Sequence, residues 1–364
     1  MTKKEREILE IIKEDPTIEQ SEIARILSIS RSTVAVHISS LQKKGYLLGK
    51  GYIVAEEDYI VGIGASNVDV YGKSRIPLRP HYDHPADILT SVGGVMHNII
   101  TNYTLLGGKA RMITAIGDDS YGKLILEDFR QHQIDISESV KASGPSGVFI
   151  QIQDENNDMH MAICDMSVLD KITPDFIESK RKLLTNARLV VIDPSLSEAC
   201  IEKIISICKS VTPICIDPIS DNFALKIKPY VKDFALIKPN RYELEKLADM
   251  KIETKADMEK ACRVLIDQGC KKVLLSLGKD GILYMDEKTK IIRHFKEEKH
   301  MANASGAGDA LMASMLYGMV KGYTISDTID LGLAAGIAAI RSKEAINEDL
   351  SIKLLKQIIK ESKK

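Results

Sequence analysis

From Asp58 onward the chain alternates short apolar runs with longer amphipathic ones, and this alternation constrains the fold more than any other feature of its 364 residues. The runs "YIVGIG", "ARMITAIG", "ARLVVID", "PICIDP", "DFALIKPN" and "KKVLLSLG" are β-rich, and helical stretches separate them. A strand that is apolar throughout has no face to offer water, so it must sit in a sheet covered on both sides. Strands alternating with helices are joined by crossovers, which makes neighbouring strands parallel. The expected class is α/β with a central, mostly parallel sheet. Two further runs, "SGVFIQIQD" and "MHMAICDM", are separated only by "ENND" and should pair as an antiparallel hairpin. A hairpin near residues 146–166, inside an α/β domain, is a candidate lid over a site.

Composition removes some classes of function. Lys and Arg number 50 against 51 Asp and Glu, so no overall basic field favours nucleic acid and any such contact must be a local patch. The six cysteines (Cys164, Cys200, Cys208, Cys215, Cys262 and Cys270) show no CxxC spacing, and they read as reduced core residues rather than a zinc site. The opening "MTKKEREILEIIKED" is charged throughout, so no secretory leader is expected. No uncharged apolar run reaches about 18 residues, which leaves nothing to span a membrane. A soluble, cytoplasmic protein is expected.

Residues 1–57 read differently from residues 58–364, with the charged cluster Glu56-Glu57-Asp58 at the boundary. Ile8, Leu9, Ile11 and Ile12 recur at helical spacing in a first helix that stops before Pro16. Ser21 is expected to cap a short second helix, "EIARILS", and Ser30 a third, "RSTVAVHISSLQKKG", closed by Gly45. "YLLGKGYIV" then supplies a two-stranded wing. This order resembles the winged helix-turn-helix domains of bacterial transcription regulators. The resemblance implies DNA binding, with Ser32, Thr33 and His37 facing the major groove and Arg31 and Lys43 reaching phosphates. The alternative is a small helical appendage used for dimerisation.

Ligands of open α/β sheets bind at the carboxyl ends of the strands, and five clusters fall there. "GIGASNVDVYG" brings Asn67 and Asp69, and "SVGGVMHNIITNYTLLGG" brings Gly93-Gly94 with Asn98 opening a helix. "KPNRYELEKL" sets Asn240 and Glu243 three apart on a helical first turn, and Gly278 to Gly281 form a glycine turn. Each alone has an ordinary explanation as a turn or a cap. The fifth, "NASGAGDAL", is sharper: Gly306-Ala307-Gly308 precede Asp309 and a greasy helix. A helix N-terminus favours an anion, so Asp309 is either a cap or a base placed beside a phosphate site.

Taken in order, these clusters resemble the PfkB or ribokinase family of carbohydrate and nucleoside kinases from about Tyr59 to the end. "GG…N…LGG" matches its first signature, "GAGDAL" its second, and Asn240-x-x-Glu243 its magnesium and phosphate motif. The resemblance implies a Rossmann-like ribokinase fold with a small β lid, and transfer of the ATP γ-phosphate to a sugar hydroxyl. Asp309 would be the base, and the N–H groups of Gly306, Ala307 and Gly308 an anion hole. Asp69 would bind sugar hydroxyls in a pocket completed by Asn67, Gly93, Gly94 and Asn98. Asn240 and Glu243 would order Mg2+ and its waters. Ser276, Gly278 and Gly281 would lie along the ATP phosphates, with Asn347 near the nucleotide. Exposed lid strands often pair across subunits in this kind of fold, which implies a homodimer.

Three features bear on the acceptor. The second signature usually reads Asp-Thr-x-Gly-Ala-Gly-Asp, and here Asn303 and Ala304 replace its first two residues. Asn at that position is similar to the pseudouridine kinases of the family. The segment "ICDMSVLDKITPDF" is similar to theirs as well, with Asp165 toward the base or ribose, and some of them also carry a fused winged helix. The expected reaction converts pseudouridine to its 5′-phosphate; ribose, adenosine and fructose are the alternative kinds of acceptor. Relatives hold a monovalent cation near the positions of Asn303 and Ser305, so loss of the aspartate there weakens the case for K+. A reading of another class makes the chain a DNA-binding regulator that uses the kinase-like domain as a ligand sensor.

Overall fold

The structure, a computed structural model, describes residues 1–47, 58–156, 158–294 and 305–362. The chain divides into two compact units, Met1–Asp58 and Tyr59–Lys364.

The smaller unit holds α1 (Lys3–Glu14), α2 (Gln20–Ile26) and α3 (Arg31–Lys43). Ile8, Leu9 and Ile12 of α1 are fully buried against Ile23, Val34 and Leu41, as the helical spacing requires. The Ser30 side chain accepts from the Thr33 N–H and caps α3, which stops ahead of Gly45 at φ 78°. Ser21 is not a cap. Gln20 is already helical, so Glu19 holds the N-cap position, without a side-chain cap bond, and the Ser21 hydroxyl donates to Glu19 Oε2 at 3.0 Å. Glu5 is buried and takes hydrogen bonds from Ser40 and Lys44, both at 2.7 Å, which fastens α1 to the end of α3. Most of the expected wing lies outside the described residues.

The larger unit opens with β1 (Tyr59–Ile63), β2 (Asn67–Ser74), β3 (Ala86–Gly93), α4 (Val95–Leu105), β4 (Lys109–Ile113), β5 (Ala115–Ile116) and α5 (Ser120–Gln131). It continues with β6 (Val140–Lys141), β7 (Gly147–Gln153), β8 (Met159–Asp165), α6 (Pro174–Ser179), α7 (Arg181–Asn186), β9 (Val190–Ile192), α8 (Glu198–Cys208) and β10 (Ile214–Ile216). Then follow α9 (Asp221–Ile227), β11 (Leu236–Ile237), α10 (Arg241–Ala248), α11 (Lys255–Asp267), β12 (Lys272–Ser276), β13 (Ile282–Asp286) and β14 (Lys290–Arg293). The helices α12 (Ala307–Lys321), α13 (Ile325–Ile340) and α14 (Ile352–Ser362) end the chain.

Among the described residues the main sheet has eight strands in the order β14-β13-β12-β11-β10-β9-β1-β4. It is parallel from β12 to β4, and β13 and β14 add an antiparallel edge. Alternate residues of each apolar strand serve opposite layers. Val61, Ile63, Val190 and Ile192 join one core, and Ile60, Val191 and Cys215 the other. Five cysteines are buried and free as expected; Cys164 is the exception, exposed on β8. No helix among the described residues is long and apolar enough to cross a membrane.

The lid is larger than the hairpin read from the sequence. It is a four-stranded sheet in the order β3-β2-β7-β8, so residues 67–74 and 86–93 form half of it. Most of β3 is exposed, and without a buried face it lacks the alternation that marks a strand.

Candidate active site

The chain steps from β1 to β4 on one side of the sheet and later to β9, β10, β11 and β12 on the other. β1 therefore marks the point where the strand order reverses, and the crevice beyond the strand ends there is where such folds bind ligands. Asn67 follows β1, Asp193 follows β9, Asp217 follows β10, and Lys238 and Asn240 follow β11.

At the start of α12, Gly306 occupies the N-cap position at φ 79° with no side-chain cap. A Cβ there would lie 1.9 Å from the Ala345 carbonyl oxygen, so only glycine fits. The first turn of a helix leaves N–H groups without intrahelical partners, and Gly306 has no side chain to take them up. Asp309 sits on that turn, partly accessible, and accepts from Asn98 Nδ2 at 2.9 Å. Burial and the nearby Asp217 push its carboxyl up to about 7, against the pull of the Asn98 hydrogen bond and Lys238.

The lid brings a second carboxylate. Asp69 of β2 accepts from Asn67 Nδ2 at 2.6 Å and from the Tyr71 hydroxyl at 3.0 Å. Burial raises its pKa, and those two hydrogen bonds oppose the shift. The Gly-Gly pair makes room for this cluster. A Cβ on Gly93 would fall 2.3 Å from Asp69 Oδ2, and one on Gly94, at φ 103°, would fall 2.7 Å from Asn67 Oδ1.

On the other side of α12 lies a buried ion pair. Lys238 Nζ is 2.8 Å from Asp217 Oδ2, both side chains being under a tenth exposed. Burial works against the ammonium, but Asp217, Glu243 and Asp309 outweigh it and raise the Lys238 pKa. A Cβ on Gly308 would sit 3.2 Å from Nζ, so the charge lies against the first turn of α12. Next to it Asn240 and Glu243 form a reciprocal capping box: Glu243 N–H donates to Asn240 Oδ1 at 3.0 Å, and Asn240 N–H to Glu243 Oε2 at 2.8 Å. Burial and Asp217 push Glu243 up to about 7. Asn240 bridges to Ser276, and both line a cavity of about 610 Å³ with Tyr242, Leu277, Gly278 and Lys279. Gly278 and Gly281 bound a 3₁₀ turn at φ 59° and 89°.

These donors suit a hard divalent cation held by phosphates and water. They are oxygens, and with Asp217 they place more negative charge there than Lys238 offsets. Among the described residues no three His, Cys, Asp or Glu side chains converge on a metal site.

The profile of the pfkB family carbohydrate kinases matches residues 57–352. The chain belongs to that family. Its members are ATP-dependent phosphotransferases, and this kinase is 33% identical to the uncharacterized sugar kinase YeiI of Escherichia coli (strain K12), over 96% of this chain and 97% of the relative. It is 29% identical to the pseudouridine kinase of the same organism, over 82% of this chain and 95% of that one. A crystal structure from Clostridium perfringens superposes with a TM-score of 0.75 at 32% identity, covering 84% of this kinase and 97% of that chain. Residues 1–47 match a winged helix-turn-helix DNA-binding profile.

Not every expected site residue joins the cluster. Asp165 is exposed at the end of β8, where its carboxylate accepts from the Ser167 N–H at 2.9 Å. Asn347 uses its amide to tie α13 to the following loop, donating to the Ala338 carbonyl at 2.7 Å. Asn303 and Ala304 lie outside the described residues. On α3, Arg31, Ser32, Thr33 and Lys43 are exposed and His37 is half-buried, while the Ser32 and Thr33 hydroxyls lie 2.8 and 2.7 Å from Ser30 Oγ in the cap.

The sequence reading missed Lys238, Asp217, Asp193 and Tyr71. A signal was present in the tripeptide Ile-Asp-Pro, which occurs at 192–194 and again at 216–218. Asp193 accepts from the Ala65 and Ser195 N–H groups and shapes the loop after β1, whereas Asp217 pairs with Lys238.

Proposed function

We propose that this kinase transfers the γ-phosphoryl group of ATP to the 5′-hydroxyl of a nucleoside, and that pseudouridine is the acceptor. The observation that carries the reading is the Asp309 carboxylate on the uncapped first turn of α12, flanked by Asn98 and Lys238. In this reading Asp69, braced by Asn67 and Tyr71, holds ribose hydroxyls under the lid. The 5′-oxygen attacks the γ-phosphorus as its proton passes to Asp309, and the bond from that phosphorus to the bridging oxygen breaks, releasing ADP. The N–H groups of Gly306, Ala307 and Gly308, with Lys238 beside them, stabilise charge on the transferring oxygens. The nucleotide occupies the cavity past Ser276 and Gly278. Glu243 and Asn240 would order Mg2+, and the ion would supply positive charge to offset that of the phosphates. Asp165 and Asn347 contribute only if ligand binding frees them from their present hydrogen bonds.

The similarity to a pseudouridine kinase supports the acceptor, as does Asn303 in place of the usual aspartate. That replacement also weakens the case for a K+ site. Met159, Met161 and Ile163, exposed on the edge strand β8, support a homodimer formed through the lid. The match of residues 1–47 and the exposed start of α3 support DNA binding through Arg31, Ser32, Thr33, His37 and Lys43.

The test is an ADP-release assay with a panel of acceptors. Pseudouridine should exceed uridine, adenosine and ribose in kcat/KM by at least about tenfold, the scale of a pocket that reads one substrate group. A free sugar as best substrate would move the acceptor to another branch of the family. No turnover with any acceptor would favour the ligand-sensor reading, which then predicts a DNA affinity that changes on adding pseudouridine.

A further inference from the structure

His97 takes no part in the transfer just described, yet it is wholly buried one residue before Asn98. Its ring meets Phe129 edge-on, with centroids 5.2 Å apart. Its Nε2 lies 2.6 Å from Asp128 Oδ1, which α5 carries inward. Its Nδ1 lies 3.3 Å from Asn98 Oδ1, and the other end of that amide, Nδ2, donates to Asp309 Oδ2. Asp128 is held in turn by His132, whose Nδ1 is 3.2 Å from the same carboxylate oxygen and whose Nε2 is 3.1 Å from Glu348 at the surface. A continuous chain of polar contacts therefore runs from solvent to the carboxylate of Asp309. Burying an imidazole beside a carboxylate costs solvation that an apolar side chain packed on Phe129 would not.

An amide has two ends of nearly equal shape, one donating and one accepting. Asn98 can offer Asp309 either end. The carbonyl end would repel a carboxylate, and the donor end holds it in place with a lone pair left for a substrate proton. Whatever faces the far end of the amide decides between them. The Asp128 carboxylate can only accept, so it takes a hydrogen from Nε2, and only the imidazolium form of His97 then carries a second hydrogen on Nδ1. In that form Nδ1 demands an oxygen from Asn98 and so turns Nδ2 toward Asp309.

We infer that His97, held as an imidazolium between the two acceptors Asp128 Oδ1 and Asn98 Oδ1, is a positioning residue that locks the Asn98 amide with its N–H end on the Asp309 carboxylate. Burial would raise the Asp128 pKa, but the hydrogen bonds from His132 and His97 outweigh it and hold the carboxyl well below its usual value, as a fixed acceptor requires. The catalytic importance of the lock rests on Asp309 being the base; the lock itself does not.

The experiment pairs turnover with a readout that needs no acceptor. In full-length protein labelled with 13C at aspartate carboxyls, the resonance missing from D309N belongs to Asp309. H97F keeps a ring on Phe129 and removes both donors. Asp309 should then titrate higher than in the parent by roughly half a pH unit or more, because the amide no longer favours its charged form. Turnover with whichever acceptor the parent phosphorylates should fall roughly tenfold, with KM for ATP within about twofold. D128N should shift both readouts in the same direction by less, and it takes over the test if H97F melts early. In an N98A background H97F should add nothing. An unmoved Asp309 resonance in H97F and D128N overturns the inference, as does an H97F effect that persists in N98A. A parent that phosphorylates no acceptor removes the base from Asp309, and the carboxyl titration still decides the lock.

Discussion

Helices α10 and α12 begin on either side of the same buried Lys238, and they finish their N-termini in opposite ways. At α10 the side chains of Asn240 and Glu243 close the end with a reciprocal box. At α12 the cap position is a glycine without a side chain, in a conformation that glycine tolerates. Both ends carry the same helix dipole and the same orphan N–H groups. The difference is whether the sequence spends a side chain on them. A capped end is finished structure with a carboxylate to one side; an uncapped end keeps its positive pole for a ligand.

The comparison breaks first at Asp309. D309N should lower kcat by about a thousandfold while leaving ATP affinity within about threefold, measured by steady-state kinetics and calorimetry. The same change should stabilise the fold above pH 7. Asp309 has a folded pKa of about 7, raised above its unfolded value, so its ionisation destabilises the native state as pH rises through that interval. An unchanged melting temperature at pH 8 would mean that Asn98 and Lys238 fully compensate the charge of Asp309.

Filling the open end is the next largest effect. G306A puts a methyl against the Ala345 carbonyl and into a left-handed conformation, and should reduce kcat/KM about a hundredfold at a stability cost of about 1–2 kcal/mol. N240A, at the closed end, should cost about 1 kcal/mol of stability. Its turnover should fall by less than that of G306A. If the two variants lose turnover equally, the contrast between the helix starts has no functional meaning.

The pH profile sharpens the assignment. With Asp309 titrating near 7, kcat/KM should decline below neutrality and reach about a tenth of its plateau one unit lower, a limb that D309N abolishes. Smallest is E243Q. Gln can still close the capping box, so stability should stay within about 0.5 kcal/mol. The Mg2+ concentration for half-maximal rate should nonetheless rise roughly fivefold, because one charge near the phosphates is gone. Equal Mg2+ dependence would make Glu243 a cap only.

Much of this site was legible in the chain because its signals are local. Three small residues before Asp309 state a helix start that a side chain would block, and Asn240 with Glu243 states a cap by spacing alone. The Ser30 cap and the stop before Pro16 are equally local. Half of the lid was not legible, since β2 pairs with the hairpin strand β7 more than 50 residues away, while β3 pairs with β2 at the sheet edge and is mostly exposed. Ser21 misled for the opposite reason: a good capping residue lies one step inside a helix whose start was fixed by its neighbours. Asp217 and Lys238 were read as ends of strands, because nothing within either segment announces the other.

The amino-acid sequence by itself determined the layered parallel sheet, the separate helical unit before it, and the bare glycine start of α12. Those properties depend on hydrophobic period and on backbone sterics, which act over a few residues. Only the tertiary structure decided that Asn98 reaches Asp309, that Lys238 pairs with Asp217 against Gly308, and that His97 stands behind the amide. Such contacts join segments up to 211 residues apart, and the energy of a charge depends on which other charges the folded backbone sets beside it.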